Sequence, residues 1–198
     1  TGRAGNMCIS NPWPGRMQTI WKDPERFINT YFTKYAKPDS KNWQDWPYVT
    51  GDGATQSADG YFRIVGRLDD VINVAGHRLG TKELESAALT VPSIGEAAAV
   101  PAIDDLKGRV PEMYVSLKPG YEKETTIEND VKQAIATNIG PIARPAHVWV
   151  TSDLPKTSSG KIMRRVIASI SNFVDVGDTT TLSNPEVVDK IKQQVQSA

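Results

Sequence analysis

The sequence predicts an α+β fold in which helices cover a short sheet. From Asp70 onward, strand-like and helix-like segments follow in the order strand, helix, strand, strand, helix, strand, helix, which is typical of a small three-layer domain. The part before Asp69 is short and aromatic, which favours the β-rich closing edge of a larger N-terminal domain. We therefore divide the chain into residues 1–68, residues 69–176 and a tail with a short helix at 177–198.

Composition excludes several classes of protein. Lys plus Arg and Asp plus Glu both number 23 among 198 residues, and this zero net charge argues against a general binder of nucleic acid or membrane surfaces. Cys8 is the single cysteine, so the chain forms no internal disulfide and fits a reducing, cytoplasmic compartment. No apolar run approaches the roughly 20 residues of a membrane span. The chain lacks an initiating Met and a signal peptide, which suggests a fragment or a processed product.

The first elements are predicted from capping residues and from periodicity. Asp23 caps a helix that has Pro24 at its first position, and Phe27, Tyr31 and Phe32 form the buried stripe of that helix. The predicted strands at 48–50 and 61–65 are joined through a turn at 58–60.

Asp52 is predicted to lie in a glycine-flanked turn at the end of the strand 48–50. A carboxylate in that position can accept hydrogen bonds from both hydroxyls of a ribose. It can equally form an Asx turn with its own backbone. The residues alone leave both interpretations open.

The elements after Asp70 are predicted in the same way. A strand at 71–74 is followed by a glycine-bounded loop at 75–80, and then by a helix with Thr81 as its N-cap and an inner face of Leu84, Ala87 and Ala88. Strands at 96–100, 113–117 and 148–151, an amphipathic helix at 127–139 and a last helix at 185–195 complete the set.

A polar loop at 153–161 separates the strand 148–151 from a basic helix predicted at 161–170. Pro155 near its start discourages helix, and Gly160 allows a sharp turn. Lys161 is predicted at the helix start, with Arg164 and Arg165 within about one turn. Cations and exposed helix N–H groups together attract phosphate or carboxylate, but a solvated loop before an ordinary basic helix accounts for the same residues.

The loop does not match a phosphate-binding P-loop, because that motif requires glycine where Pro155 stands. It resembles the lysine signature near the C-terminus of acyl-adenylate-forming enzymes. Five blocks in family order resemble acetyl-CoA synthetase and its short-chain relatives: YVTGDG at 48–53, GRLDDVINVAGHRLGT at 66–81, IGP at 139–141, PKTSSGKIMRR at 155–165 and GDTTTL at 177–182.

The resemblance implies a large N-terminal domain, of which this chain has the last strip, and a small C-terminal lid. It further implies that the intact enzyme forms an acyl-adenylate from a short-chain carboxylate, acetate or propionate, and Mg-ATP, and then transfers the acyl group to CoA. The carboxylate pocket lies outside this chain. Other acyl-adenylate-forming ligases share the lysine loop, and a stand-alone nucleotide- or protein-binding module stays an alternative.

The resemblance also assigns roles to individual residues. Lys161 matches the lysine that stabilises the adenylation transition state. Asp52 matches the acid that binds the ribose, whereas Arg67 and Arg78 match arginines that contact ATP or AMP. Asp69 matches the hinge about which the lid rotates. Acetylation of Lys161 by a lysine acetyltransferase, reversed by a deacetylase, is expected to inactivate the enzyme because the charge is lost.

The CoA and metal contacts are implied less directly. Ala75 and Gly76 match the turn that lines the CoA tunnel, although relatives often carry serine at the first position. An arginine that contacts CoA in relatives is replaced here by Ala136, so Arg144 is the candidate for that contact. Some relatives bind Mg²⁺ through main-chain carbonyls, which correspond to those of Leu89, Val91 and Ile94.

Overall fold

The computed structural model describes residues 5–68, 70–121 and 125–197. It divides into two compact units, Thr1–Asp70 and Val71–Ala198. Asp69, the predicted hinge, lies outside the described residues.

Among its described residues, the first unit contains a three-stranded antiparallel sheet and one α-helix. Its strands β1 (Gly5–Ile9), β2 (Tyr48–Gln56) and β3 (Phe62–Arg67) lie in that spatial order. The helix α1 (Pro24–Tyr31) begins after Asp23, whose carboxylate accepts the Arg26 N–H at 3.1 Å. The predicted cap is therefore confirmed.

Aromatic side chains form the core between α1 and β2. Phe27 and Phe32 are buried, as the predicted stripe requires. Both rings pack against Trp43, with centroid distances of 5.7 and 4.8 Å. Tyr31 stacks on Tyr48, the first residue of β2, at 5.0 Å. The stripe thus fixes the helix against the start of the strand.

The second unit has three layers, with a three-stranded sheet in the middle. Its elements are β4 (Val71–Val74), β5 (His77–Gly80), α2 (Thr81–Ala88), β6 (Ile94–Asp104), β7 (Gly108–Leu117), α3 (Ile127–Asn138), β8 (Val148–Thr151), α4 (Arg164–Ser171) and α5 (Glu186–Gln196). The sheet order is β6-β7-β8, with β6 antiparallel and β8 parallel to β7.

Side chains along β6 and β7 alternate between the two faces of this sheet. Ala97, Ala99 and Met113 belong to the core formed with α2, α3 and the β4–β5 pair. Ala98 and Tyr114 belong to a second core formed with α4 and α5. Because both faces are covered, these strands are apolar on successive residues. The α+β prediction, with helices on a small sheet, is confirmed.

The predicted loop at 75–80 is wrong, because β5 occupies most of it. β4 and β5 pair as a hairpin in which Val74 faces His77. The two connecting residues, Ala75 and Gly76, have φ angles of +47° and +87°. This is the geometry of a two-residue hairpin turn, and Ala75 gave no sequence signal for it.

The N-cap of helix α2 lies one residue earlier than predicted. Gly80 is the N-cap, and Thr81 is the first helical residue. The Thr81 hydroxyl is buried and has no hydrogen-bond partner among the described residues. The inner face of Leu84, Ala87 and Ala88 is buried as predicted.

Strands β6 and β7 run further than predicted. The sequence prediction stops at prolines, but Pro101 and Pro111 face each other in the observed register. Opposed residues of an antiparallel pair need not exchange hydrogen bonds, so two prolines are tolerated at one such position. The hairpin therefore continues to its turn after Asp104.

Candidate functional site

The lysine loop is held by two isolated β-bridges. Thr157 pairs with Leu182 on one side, and Lys156 pairs with Ile162 on the other, both antiparallel. The Thr157 N–H donates to the Lys161 carbonyl at 2.9 Å, and the Lys161 N–H donates to Thr157 Oγ1 at 3.2 Å. Gly160, at φ +78°, completes the turn between them. The backbone of Lys161 is therefore fixed.

The prediction that Lys161 begins a helix is wrong. Helix α4 begins at Arg164, and Met163 precedes it as N-cap. The Ile162 bridge and the Met163 N–H, which donates to the Pro155 carbonyl at 2.8 Å, keep this segment extended. Helix N–H groups therefore do not surround the lysine.

The two arginines predicted to join Lys161 in an anion site have other partners. Arg164 donates to both oxygens of Glu85, from Nε at 2.6 Å and from Nη2 at 2.7 Å. Arg165 donates to the carbonyls of Val176 and Asp178 at 2.5 and 2.7 Å. These bonds connect α4 to the rest of the unit, so the two arginines stabilise the fold of that unit.

The two lysines of the loop have different surroundings. The Lys156 ammonium lies 2.7 Å from Glu96 Oε2 and 2.7 Å from Asp153 Oδ1. Hydrogen bonds to Asp153 and then Glu96 raise the pKa of Lys156. Lys161 is exposed, and within the described part of the chain its ammonium makes no ion pair. Lys161 is thus the lysine available to an external anion.

Asp52 and Arg67 form the candidate nucleotide contacts of the first unit. They face each other across β2 and β3, with Arg67 Nη1 3.9 Å from Asp52 Oδ1. The same nitrogen donates to the Thr50 carbonyl at 3.2 Å. The two side chains are about a third and a half exposed. A carboxylate and a guanidinium are therefore presented together.

The predicted turn at Asp52 is wrong, because β2 continues through it to Gln56. Gly51, at φ +80°, bends the strand without ending it. The Asp52 N–H donates to Thr50 Oγ1 at 3.2 Å. The Thr50 hydroxyl therefore accepts the main-chain N–H two residues on, and among the described residues the Asp52 carboxylate accepts no main-chain hydrogen bond of the kind that an Asx turn requires.

The β4–β5 hairpin carries three further candidates. Ala75 and Gly76 form its turn, and the Ala75 N–H donates to the Lys107 carbonyl at 3.4 Å. A Cβ at Gly76 would meet nothing within 4 Å, so within the described residues the space beside this turn is open. Arg78 is exposed on β5, opposite Asn73.

Arg144 is exposed and follows the 3₁₀ turn Pro141–Ala143. The structure places it after α3, whereas Ala136, the position of the arginine in relatives, lies within that helix. A long cation is therefore available near the end of α3.

The carbonyls predicted to bind Mg²⁺ lie where α2 turns into β6. The Val91 carbonyl accepts the Ile94 N–H at 3.1 Å, and the Lys118 ammonium donates to the neighbouring Pro92 carbonyl at 2.8 Å. Mg²⁺ favours carboxylates, phosphates and retained water, and an adjacent ammonium repels a divalent cation. The described residues here do not fit a Mg²⁺ site, and nowhere do they gather three or more acidic, His or Cys side chains for a metal.

Sequence reasoning missed the residues that support the loop. Glu96 pairs with the ammonium of Lys156. Asn184 accepts a hydrogen bond from the main-chain N–H of Lys156. Asp153 and Lys156 are three residues apart, a spacing that could have indicated their pair. Nothing local indicated Asn184, which lies 28 residues from its partner.

Comparison with known proteins identifies this arrangement. Residues 83–161 match the family described as AMP-binding enzyme C-terminal domain. Over these residues the chain is similar to the C-terminal domains of AMP-binding enzymes. It is 45% identical over 195 residues to acetyl-coenzyme A synthetase of Rubrobacter xylanophilus and 45% identical over 196 residues to that of Penicillium chrysogenum. The match covers 98% of this chain but only 29% and 28% of those relatives, so the chain matches the C-terminal part of acetyl-CoA synthetases.

Solved structures agree on the fold. Acetoacetyl-CoA synthetase of Streptomyces lividans superposes with a TM-score of 0.73 at 22% identity, over 100% of this chain and 29% of that one. An anthranilate CoA ligase in complex with anthranoyl-AMP gives 0.70 at 24% identity, over 87% of this chain and 31% of that one. In the described part of the chain, the helices are too short or too polar to cross a membrane.

Proposed function

We propose that the chain is the C-terminal part of an AMP-forming short-chain acyl-CoA synthetase. The observation that carries this proposal is Lys161, which is exposed and unpaired within the described residues and lies on a fixed loop, at the end of the stretch that matches the AMP-binding enzyme C-terminal domain. The complete enzyme converts acetate or propionate, ATP and CoA into acyl-CoA, AMP and diphosphate. The chain alone supplies the lysine and the lid, and is inactive without the larger N-terminal domain.

In the first half-reaction a carboxylate oxygen bonds to the α-phosphorus of ATP, and the bond to the leaving diphosphate breaks. Negative charge then accumulates between two anions. A cation that reaches both oxygens binds the transition state more tightly than the ground state. Lys161 performs this role, because the neighbouring Lys156 is neutralised by Asp153 and Glu96. Mg²⁺ accompanies the phosphates of ATP as part of the substrate.

The first unit binds the nucleoside. The Asp52 carboxylate accepts hydrogen bonds from the ribose hydroxyls, and Arg67, opposite it on β3, binds the ribose and a phosphate oxygen. Arg78 contacts the nucleotide from the second unit.

In the second half-reaction the CoA sulfur bonds to the acyl carbon, AMP leaves with the bonding electron pair, and the thiol proton passes to solvent. Rotation about Asp69 withdraws Lys161 and presents the turn Ala75-Gly76 to the pantetheine arm. Arg144 binds the CoA phosphates in place of the arginine that Ala136 lacks. Residues 69–176 act as the lid, residues 1–68 as the edge of the adenylation domain, and residues 177–198 as the tail of the lid.

The test is a fusion in which this chain replaces the matching C-terminal region of the Rubrobacter xylanophilus synthetase. Acetate-dependent exchange of diphosphate into ATP reports the first half-reaction, and thioester formation from supplied acetyl-adenylate and CoA reports the second. Lys161→Ala is expected to lower the first by a factor of about 100 or more and to leave the second within about twofold. Lys190→Ala, which removes an exposed lysine of α5, is the matched control. Equal loss of both half-reactions in Lys161→Ala refutes the role of Lys161.

Regulation belongs to the same proposal. Lys161 is exposed, so a lysine acetyltransferase can reach it, and a deacetylase reverses the change. Acetylation removes the charge and stops adenylation. The enzyme acts in the cytoplasm on soluble substrates, without nucleic acid or membrane as partner.

A further inference from the structure

Asn184 contacts the lysine loop through both atoms of its amide. Its Oδ1 accepts the Lys156 N–H at 2.9 Å, and its Nδ2 donates to Asp153 Oδ2 at 3.0 Å and to the Leu154 carbonyl at 2.9 Å. Three hydrogen bonds from one side chain thus reach three of the four residues 153–156. Leu154 is fully buried, so this end of the loop is anchored in the core.

The residues beside Asn184 extend the same contact along the loop. The Ser183 N–H donates to the Lys156 carbonyl at 2.8 Å, and Leu182 pairs with Thr157. Leu182 is buried in the core formed with α4 and α5. The main chain at 156–157 therefore lies between two others, bridged to Ile162 on one side and to Leu182 on the other.

We infer that Asn184 is a positioning residue for adenylation, acting on Lys161 through the loop. This inference rests on the proposed function. The route has two steps. Asn184 fixes the main chain at Lys156, and the next residue, Thr157, holds the main chain of Lys161 through its own N–H and its hydroxyl. Asn184 itself lies on a segment to which the sequence gave no chemical role.

The test uses the fusion enzyme and both half-reactions. Asn184→Ala removes all three hydrogen bonds and is expected to lower diphosphate exchange about tenfold or more, because small displacements of a catalytic group are costly. Thioester formation from acetyl-adenylate is expected to stay within about twofold, since Lys161 is withdrawn in that step. Gln193→Ala, which removes an exposed amide side chain of α5, is the matched control.

A charge exchange gives a rescue that a simple loss of stability does not predict. Asn184→Asp places a carboxylate against Asp153 and the Leu154 carbonyl, and is expected to lower exchange as much as Asn184→Ala. In the double variant with Asp153→Asn, the amide at position 153 can donate to the carboxylate at position 184, so the hydrogen bond between the two positions is restored in the opposite direction. The double variant is expected to recover at least about threefold over Asn184→Asp.

A second readout needs no enzymatic activity. In the chain itself, Asn184→Ala is expected to speed amide hydrogen exchange at Lys156 by about tenfold or more, because that N–H loses its acceptor. Diphosphate exchange that stays within twofold, or equal loss of both half-reactions, overturns the positioning role. If the fusion without substitutions makes no acyl-adenylate, the proposed function fails, and the positioning role of Asn184 fails with it. If Asn184→Ala leaves amide hydrogen exchange at Lys156 unchanged, only the contact between Asn184 and Lys156 is refuted.

Discussion

Arg164 and Glu85 form an ion pair with two hydrogen bonds beside β6, an edge strand of the sheet β6-β7-β8. Glu85 Oε1 also accepts the Ala99 N–H at 3.2 Å. The carboxylate therefore satisfies one main-chain donor of that edge strand. Glu85 is buried, with 5% of its side chain exposed. One pair therefore joins α2, β6 and the start of α4, three residues after Lys161.

Arg164→Ala is expected to destabilise the chain by about 3 kcal/mol, because it leaves a buried carboxylate without its principal partner. Lys82 is the matched control. Its ammonium lies 3.1 Å from the same carboxylate but is 57% exposed, so Lys82→Ala is expected to cost less than about 1 kcal/mol. Urea unfolding of both variants measures the difference, and equal costs contradict this account.

The overall fold was predictable because periodicity and capping act locally. The stripe at Phe27 and Phe32 and the helix at 127–139 follow from side-chain spacing alone. The β4–β5 hairpin was missed because Ala75 adopts a positive φ that only the pairing of Val74 with His77 requires. The continuation of β6 and β7 through Pro101 and Pro111 was missed. Whether a strand tolerates a proline depends on its register with the neighbouring strand, which is a property of two segments.

Gly51→Ala is expected to displace Arg67 from Asp52. A Cβ at Gly51 would lie 2.9 to 3.1 Å from the Arg67 guanidinium, and the φ of +80° adds backbone strain. We expect a cost of about 1–2 kcal/mol in unfolding free energy and, in the fusion enzyme, a raised KM for ATP. Gly53→Ala is the control, because its Cβ makes only ordinary contacts of 3.5 Å or more. Equal effects of the two substitutions contradict this prediction.

Asp153 is expected to contribute stability that is lost in acid. Burial tends to raise the pKa of Asp153, but hydrogen bonds from Lys156, the Leu154 N–H and Asn184 together lower the pKa below its ordinary value. The contribution is therefore present above about pH 4 and is lost as the pH falls through the folded-state pKa. Urea unfolding at several pH values should show that the difference in unfolding free energy between the unchanged chain and Asp153→Asn shrinks below pH 4. A difference that grows there contradicts a lowered pKa of Asp153.

The candidate site was predictable only where chemistry follows from residue type. Lys161 and Asp52 came from motifs, and the structure presents both side chains to solvent at least in part. The environment of Arg164 was misjudged because Glu85 is 79 residues away. The separate environments of Lys156 and Lys161 depend on Glu96, which only the fold brings to the loop.

Tyr114 is expected to limit stability at high pH. Burial, and then the charge of Glu112, raise the pKa of Tyr114, although a hydrogen bond with Ser171 at 2.7 Å acts the other way. Since the folded chain holds this proton more tightly, stability is lost as the pH rises above about 10. Tyr114→Phe is expected to cost about 1 kcal/mol at pH 7 through the lost hydrogen bond. Measured by urea unfolding, the difference in unfolding free energy between the unchanged chain and Tyr114→Phe should narrow above pH 10. A difference that widens there contradicts the prediction.

Acetylation is expected to select Lys161 over Lys156, because a lysine reacts as the neutral amine. The pKa of Lys156 is raised, and its ammonium is held by Asp153 and Glu96, so little of it is neutral and reachable. Lys161 is exposed and forms no ion pair in the described part of the chain. Treatment of the chain with acetyl phosphate, followed by peptide mass spectrometry, should give at least about tenfold more modification at Lys161. Glu96→Gln, which weakens the hold on Lys156, should reduce that preference. Equal modification of the two lysines in the unchanged chain would show that the ion pairs do not protect Lys156.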